Sequence, residues 1–217
     1  MAEAEVMVKK VTAFVTRAGK DGLELLLLQH PNAGIQIPAG TVEENEPPEK
    51  AALREVEEET GLTGMSIKAY IGYLDQALLG NQRIITRKTK AYARPDSTSF
   101  DWAEFRRGIP VEVLRREVQF TQVTYEEWDK FPDAEYVTYR ITGWVPNDTL
   151  CTKTRRHFFH LSFEGQTPDR WTRFADNHRF QPFWASFASL PKIVEPQCDW
   201  IIYVRDQLKY EFCKYTG

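Results

Sequence analysis

A dense acidic segment from Gly40 to Leu62, GTVEENEPPEKAALREVEEETGL, constrains this chain more than any other stretch. It holds eight glutamates against one lysine and one arginine. Pro47 and Pro48 are typical of a helix start, because a proline in the first turn gives up an N–H that has no intrahelical partner. Gly61 is a matching helix stop. The sequence therefore predicts one helix between these prolines and Gly61.

Three glutamates of that helix share one face. Glu55, Glu58 and Glu59 are related as i, i+3 and i+4 and project in the same direction. The other side carries a narrow stripe that we expect to be buried, formed by Leu53, Val56 and Thr60. Like charges placed in this way repel each other, so something positive should offset them. Hard divalent cations prefer oxygen ligands, so the cluster indicates a metal site; a solvated acidic helix face is the alternative.

The spacing of the acidic segment favours the metal site. The segment reads Gly40, five residues, Glu46, seven residues, then Arg54-Glu55-Val56-x-Glu58-Glu59-x-Gly61-Leu62. This pattern matches the Nudix box at every fixed position, and a chance match in a chain of this length has odds well below roughly one in a million. The chain thus resembles the Nudix hydrolases, a MutT-like superfamily. The preceding VTAFVT, LELLLLQH and GIQIPAG resemble the first strands and the approach loop of that family.

The resemblance implies an α/β fold, namely an α/β/α sandwich around a mixed central sheet. From the sequence pattern we also expect an N-terminal hairpin, strands on both sides of a mid-chain segment, and a terminal amphipathic helix. The segment at about 95–140 is rich in both charges, and we expect it to be a partly helical insertion. QRIITRKTKAYARP is predicted as a single strand. We expect residues 1–217 to form one Nudix domain that contains this insertion.

The resemblance also assigns roles to the box. Glu58 and Glu59 would be the principal metal ligands, and Glu55 would be a further ligand or the base that deprotonates water. Arg54 is not expected to reach the glutamate face directly, and it would orient Glu55. The carbonyl of Ala39 would approach the metal, which would be Mg²⁺ with Mn²⁺ as a substitute.

Further residues would shape the site. Gly40 would let the backbone approach the metal, Glu46 would support the loop, and Gly61 would end the helix. Many members of the family add an acidic residue from outside the box, and here Asp176 is the first candidate, with Glu164 behind it. Each of these two is more simply read as a surface acid.

The resemblance implies hydrolysis by water of a nucleoside diphosphate linked to another moiety. QIPAGTVE is similar to the approach loop of ADP-ribose and nucleotide-sugar hydrolases, which slightly favours that class. The proline and tyrosine markers of two subfamilies are absent at their usual distance, where Ala77, Leu78 and Leu79 stand. Basic residues in QRIITRKTK and TKTRRH could hold phosphates, but a solvated strand face is the simpler interpretation.

The composition of the chain limits the classes of partner and the cell compartment that we expect. The net charge is -3 and the pI about 5.9, which argues against a nucleic-acid partner bound through bulk basicity. No apolar run is long enough to span a bilayer, and the start of the sequence lacks the apolar segment of a signal peptide. We expect a cytoplasmic protein with a small-molecule partner, and a homodimer stays open.

Three other functions compete with that of a hydrolase. A Nudix-fold sensor that binds a nucleotide without turnover is the main alternative, although no DNA-binding segment is evident. An isomerase of the isopentenyl diphosphate type needs a catalytic cysteine, and no cysteine precedes Cys151. An mRNA-decapping role stays open, but the acidity of the chain disfavours it.

Overall fold

A computed structural model describes residues 6–20, 22–130, 133–175, 178–202, 204, 205 and 208. The described chain begins with the expected hairpin and then runs through two short strands into a long helix and a further long strand. These elements are β1 (Val8–Gly19), β2 (Gly22–His30), β3 (Gly34–Gln36), β4 (Ala39–Thr41), α1 (Pro48–Thr60) and β5 (Ser66–Ala77).

In the described part of the middle of the chain, the regular elements are strands and one short 3-10 helix at Asn147–Thr149. The strands are β6 (Gln82–Ile85), β7 (Thr89–Tyr92), β8 (Asp101–Phe105), β9 (Pro110–Arg116), β10 (Phe120–Trp128), β11 (Val137–Pro146) and β12 (Leu150–Cys151). The last part returns to the first sheet through β13 (Lys153–Ser162), β14 (Arg173–Ala175) and β15 (His178–Ser186). Residues 197–202 are helical.

The first sheet is mixed, as predicted. Its strands lie in the order β14-β15-β2-β1-β13-β5, with β3 on β2 and β4 on β1. β1 and β13 are parallel, whereas β1 is antiparallel to β2 and to β4. Strands covered on both faces read as nearly continuous apolar runs, which explains the buried stretches TAFV in β1 and LLLL in β2.

The two faces of this sheet are covered unequally. Helix α1 packs on one face, where Ala51, Ala52 and Val56 join a cluster with Val11 and Val15. On the other face, a second cluster contains Phe14, Leu27 and Phe158 together with Ile201 and Val204 of the C-terminal helical stretch. The mixed sheet of the prediction is therefore present, but the described part of the chain is strand-rich with few helices and does not form a clear α/β/α sandwich.

The helix itself follows its sequence signals closely. It runs from Pro48 to Thr60, and Gly61 has φ 77° and donates its N–H to the carbonyl of Glu57 at 2.8 Å. This left-handed position favours glycine. Val56 and Thr60 of the predicted stripe are buried, whereas Leu53 is partly buried against the same cluster.

The mid-chain insertion differs from the prediction. The described residues of 95–140, expected to be partly helical, instead supply β8, β9, β10 and the first part of β11 to a second sheet with the order β12-β6-β9-β10-β11-β7-β8. QRIITRKTKAYARP, expected to be one strand, forms β6 and β7. The apolar positions Val111 and Val113, and Val123 and Tyr125, recur at every second residue, which is the period of a strand. The many charged residues between them obscured this alternation.

Among the described residues, no helix has both the length and the hydropathy to cross a membrane.

The end of β2 provides a pH-dependent contribution to stability. The Nδ1 atom of His30 accepts the backbone N–H of Asn32 at 3.0 Å, and its ring lies against those of His178 and Phe180. Burial, with a smaller effect of His178, lowers the pKa of His30 to about 4. A protonated Nδ1 cannot accept that hydrogen bond.

We expect His30 to destabilise the fold in acid. Its pKa in the folded state lies below the unfolded value of about 6.5, so its contribution is complete above pH ~6.5 and is lost as the pH falls towards 4. Urea unfolding between pH 4 and 7 should show a shallower loss of stability in His30→Gln than in the unmodified protein. Equal slopes would contradict this assignment.

Candidate active site

Arg54 is the centre of the acidic segment. Its Nε and Nη2 atoms donate to the Glu46 carboxylate at 2.9 and 2.8 Å, and Nη2 also donates to the carbonyl of Thr41 at 3.0 Å. Its Nη1 atom donates to Glu55 at 3.0 Å and to Glu58 at 3.1 Å. Arg54 therefore reaches two glutamates of the acidic face, contrary to the prediction that it could not, because its long side chain spans one helical turn.

These ion pairs also tie the loop to the helix. Glu46 accepts the backbone N–H of Glu43 at 2.9 Å in addition to its bonds from Arg54. The hydrogen bond from Arg54 lowers the pKa of Glu46, and the same bond raises the pKa of Arg54. Glu46 thus remains ionised and holds the turn between β4 and α1.

Glu55 lies in the most enclosed part of the site. Its side chain is 14% exposed, and Oε1 accepts both the backbone N–H of Thr41 at 3.1 Å and the Arg54 guanidinium. Burial raises the pKa of Glu55, while Arg54 opposes this effect. A carboxylate with a raised pKa is better suited to accept a proton near neutral pH.

Gly40 provides the space that Glu55 occupies. A Cβ atom on Gly40 would lie 1.9 Å from Cδ of Glu55, far inside van der Waals contact. Gly40 was expected to let the backbone approach the metal. In the structure, its missing side chain leaves room for the Glu55 carboxylate beside the Ala39–Gly40 backbone.

Glu58 and Glu59 occupy the outer part of the same face. The side chain of Glu58 is 53% exposed and pairs with Arg54, whereas Oε2 of Glu59 accepts the backbone N–H of Ala39 at 3.2 Å. Within the part of the chain that the structure describes, no three His, Cys, Asp or Glu side chains converge as a metal-binding group. Arg54 holds two of the three box glutamates in ion pairs.

The segment before β15 lies at the end of α1. Trp171 donates its indole N–H to the carbonyl of Thr60 at 2.8 Å, and Arg173 donates to the carbonyl of Glu58 at 3.1 Å. Asp176, the first candidate for the outer acid, lies outside the described residues. Glu164, the second, is 85% exposed and pairs with Lys68 of β5, at the opposite edge of the sheet from β14.

The second sheet touches the loop of the box through the turn between β8 and β9. Arg107 donates from Nε to the carbonyl of Val42 at 2.9 Å and from Nη1 to the carbonyl of Thr86. Gly108, with φ +83°, lies so close to Thr41 that a Cβ atom would fall 2.3 Å from its hydroxyl. A cleft of about 700 Å³ separates the two parts nearby, lined by Glu43, Glu44, Arg87, Lys88, Glu104, Arg106 and Arg107.

Two cations lie near the box: Lys10 was not predicted, whereas Arg156 belongs to TKTRRH, whose basic residues were considered as phosphate contacts. Lys10 of β1 and Arg156 of β13 are partners in the parallel register, and both side chains are partly buried. Burial lowers the pKa of Lys10 to about 8 and that of Arg156 to about 10. The sequence contains only a weak signal that Lys10 is buried. Lys10 lies two residues before Thr12 and so on the same face of an apolar strand, and Thr12 is fully buried.

Other basic residues are solvated, in agreement with the simpler interpretation of QRIITRKTK. Arg87, Lys88 and Lys90 pair with Asp148, Glu104 and Asp101 on exposed surface. His157 and His160 lie on opposite faces of β13, as expected from their spacing: His157 contacts Tyr70, and His160 is buried against Thr16.

Comparison with known proteins identifies the family of this chain. A family model described as NUDIX domain matches residues 8–164. The putative 8-oxo-dGTP diphosphatase YtkD of Bacillus subtilis (strain 168) is 42% identical over 66 residues, which cover 30% of this chain and 40% of that protein. The chain thus aligns with less than half the length of this relative. Since the family model covers most of the chain and includes the complete box, this protein belongs to the Nudix family.

Proposed function

We propose that this protein is a pyrophosphohydrolase that uses water to cleave a nucleoside diphosphate linked to another moiety. The observation that carries the proposal is the enclosed carboxylate of Glu55, which lies over Gly40 and is held by Thr41 and Arg54. Glu58 and Glu59 lie beside it on the same helix, as the Nudix box requires.

The chemistry of these donors suits a hard divalent cation, although the described structure does not bring three of the carboxylates together. The donor side chains offer only oxygen atoms, and Gly40 leaves room for Glu55 beside the loop backbone. Mg²⁺, or Mn²⁺ in its place, would be held by Glu58, Glu59 and the carbonyl of Ala39, with Glu55 as a further ligand or as the base. When bound, it neutralises the diphosphate and lowers the pKa of a bound water.

The chain's own residues would position and activate the reaction. Glu55 would accept a proton from the attacking water, since burial raises its pKa. Arg54 would restrain Glu55 and Glu58 in the free enzyme and keep the two carboxylates from repelling each other. Glu46 and Arg54 together would hold the loop in place, so that its backbone stays aligned with the helix.

The substrate class rests on two different observations. The approach loop QIPAGTVE slightly favours ADP-ribose or a nucleotide sugar. The similarity to a putative 8-oxo-dGTP diphosphatase favours a nucleoside triphosphate, in which the second moiety is phosphate. The cleft between the box loop and the second sheet has room for such a moiety.

We further propose that residues 1–217 form one Nudix domain that carries the second sheet as its insertion. We place this domain in the cytoplasm, with a small-molecule partner and without a nucleic-acid or membrane partner. A homodimer is part of the same hypothesis. A nucleotide sensor without turnover is the competing function.

Phosphate release from a substrate panel tests the proposal. The purified protein is incubated with Mg²⁺ or Mn²⁺ and ADP-ribose, nucleotide sugars, dinucleoside polyphosphates, nucleoside triphosphates including 8-oxo-dGTP, or capped RNA. Added phosphatase reveals phosphomonoester products. One substrate turned over in a metal-dependent way supports the enzyme. No turnover, with a ligand still raising Tm, would favour the sensor.

A further inference from the structure

Lys10 reaches the box from the strand beside it. Its ammonium donates to the hydroxyl of Thr41 at 3.3 Å and to the carbonyl of Gly108 at 3.0 Å. The backbone N–H of the same Thr41 binds Glu55. The cation and the enclosed carboxylate are therefore joined through one residue. An ammonium has three donors, so one remains for a ligand.

Arg156 lies next to Lys10 on the neighbouring strand. Its Nη1 atom donates to the carbonyl of Val11 at 3.0 Å and to the hydroxyl of Thr12 at 3.1 Å, and its guanidinium lies 4.2 Å from the centre of the Trp200 ring. All its partners are neutral, and these hydrogen bonds use one of its three nitrogens. The other two retain donors.

Neither cation forms a direct ion pair with a described carboxylate, although Glu55 attracts Lys10 at longer range. By contrast, the adjacent Arg155 forms a bidentate pair with Asp75. Two partly buried like charges on adjacent strands repel each other and are costly unless a negative charge compensates them. Such a pair predicts that an anion is the missing partner.

We propose that Lys10 and Arg156 form a binding site for one phosphoryl group of the substrate's diphosphate. The site deepens the proposed function, on which it rests, because Lys10 contacts Thr41, whose N–H binds the proposed base Glu55, and Arg156 lies beside Lys10 on β13. Glu55 and the box would act on the bond to be cleaved, while Lys10 and Arg156 would hold a phosphoryl oxygen and fix the position of the diphosphate. Charge-assisted hydrogen bonds of this kind are the stronger ones in proteins.

Binding of inorganic pyrophosphate to the full chain, without divalent metal, tests the site independently of turnover. Lys10→Gln and Arg156→Gln should each weaken binding about ten- to a hundredfold, the effect of losing a hydrogen bond to a charged group. Lys9→Gln is the matched control, since Lys9 is exposed on the same strand, and it should bind as the unmodified protein does. Lys10→Arg and Arg156→Lys keep the charge and should retain most of the affinity.

Steady-state kinetics on a panel substrate give a second measurement. The two glutamine variants should raise KM more than they lower kcat, since they remove binding of the diphosphate. The inference is overturned if pyrophosphate does not bind the unmodified protein, or if it binds both glutamine variants as well as it binds Lys9→Gln. Pyrophosphate binding that depends on Lys10 and Arg156, in a protein without turnover on the panel, would keep the anion site and reject the hydrolase.

Discussion

Glu58→Gln is expected to lower kcat by about 10³-fold while the protein remains folded. The substitution removes a proposed metal ligand and with it several kcal/mol of charge stabilisation in the transition state. The side chain of Glu58 is 53% exposed, and its ion pair with Arg54 is of the i, i+4 type. Such exposed pairs contribute less than about 1 kcal/mol to stability. Activity and stability should therefore separate.

Glu57→Gln is the matched control. Glu57 is the adjacent residue of the same helix, it is exposed, and it occupies a position that the box leaves variable. Both variants remove one negative charge from α1, so a general electrostatic effect would change them equally. We expect the Glu57 variant to keep kcat within about twofold and both variants to keep Tm.

Two results would refute the metal-site assignment. One is equal activity of the Glu57 and Glu58 variants on a substrate that the unmodified protein hydrolyses. The other is a Glu58→Gln protein that loses its folded state and keeps its specific activity per folded molecule. Mg²⁺ titration of both proteins adds a direct measurement, because loss of a ligand should raise the metal concentration needed for half-maximal activity.

Gly40→Ala is expected to have the second large effect. The new Cβ atom would fall 1.9 Å from Cδ of Glu55, so either the carboxylate or the loop must move. The clash falls on the end of a flexible side chain, so the carboxylate can move aside at a small cost in stability. A displacement of a catalytic group by about 1 Å can cost 10²-fold in rate. We expect kcat to fall at least that far, with little change in Tm.

Gly64→Ala separates the clash from backbone strain. Gly64 has a positive φ of 75°, yet no atom lies within 4 Å of the position its Cβ would take. This variant should lose about 1 kcal/mol of stability and keep its activity. Gly40→Ala with unaltered kcat would show that Glu55 does not need its present position, and the proposed base would be rejected.

The helix was predictable because its signals act over a few residues. Proline at the start, the left-handed Gly61 at the end and the i, i+3, i+4 spacing of the glutamates all operate within one element. The second sheet was missed for an equally local reason. Its strands alternate apolar and polar residues, but the many charged residues of the segment are equally typical of a solvated helix. Which of the two forms is decided by pairing with strands that are distant in the sequence.

The sequence by itself determined the family, the helix and which side chains share its acidic face. The tertiary structure decided what those side chains contact. Arg54 binds both Glu55 and Glu58, and Gly40 makes room for a carboxylate. Lys10 contacts Thr41 and also Gly108, which is 98 residues from Lys10 in the sequence. The physical reason is that helix periodicity and capping follow from neighbours in the chain, whereas burial and charge compensation depend on groups that only the fold brings together.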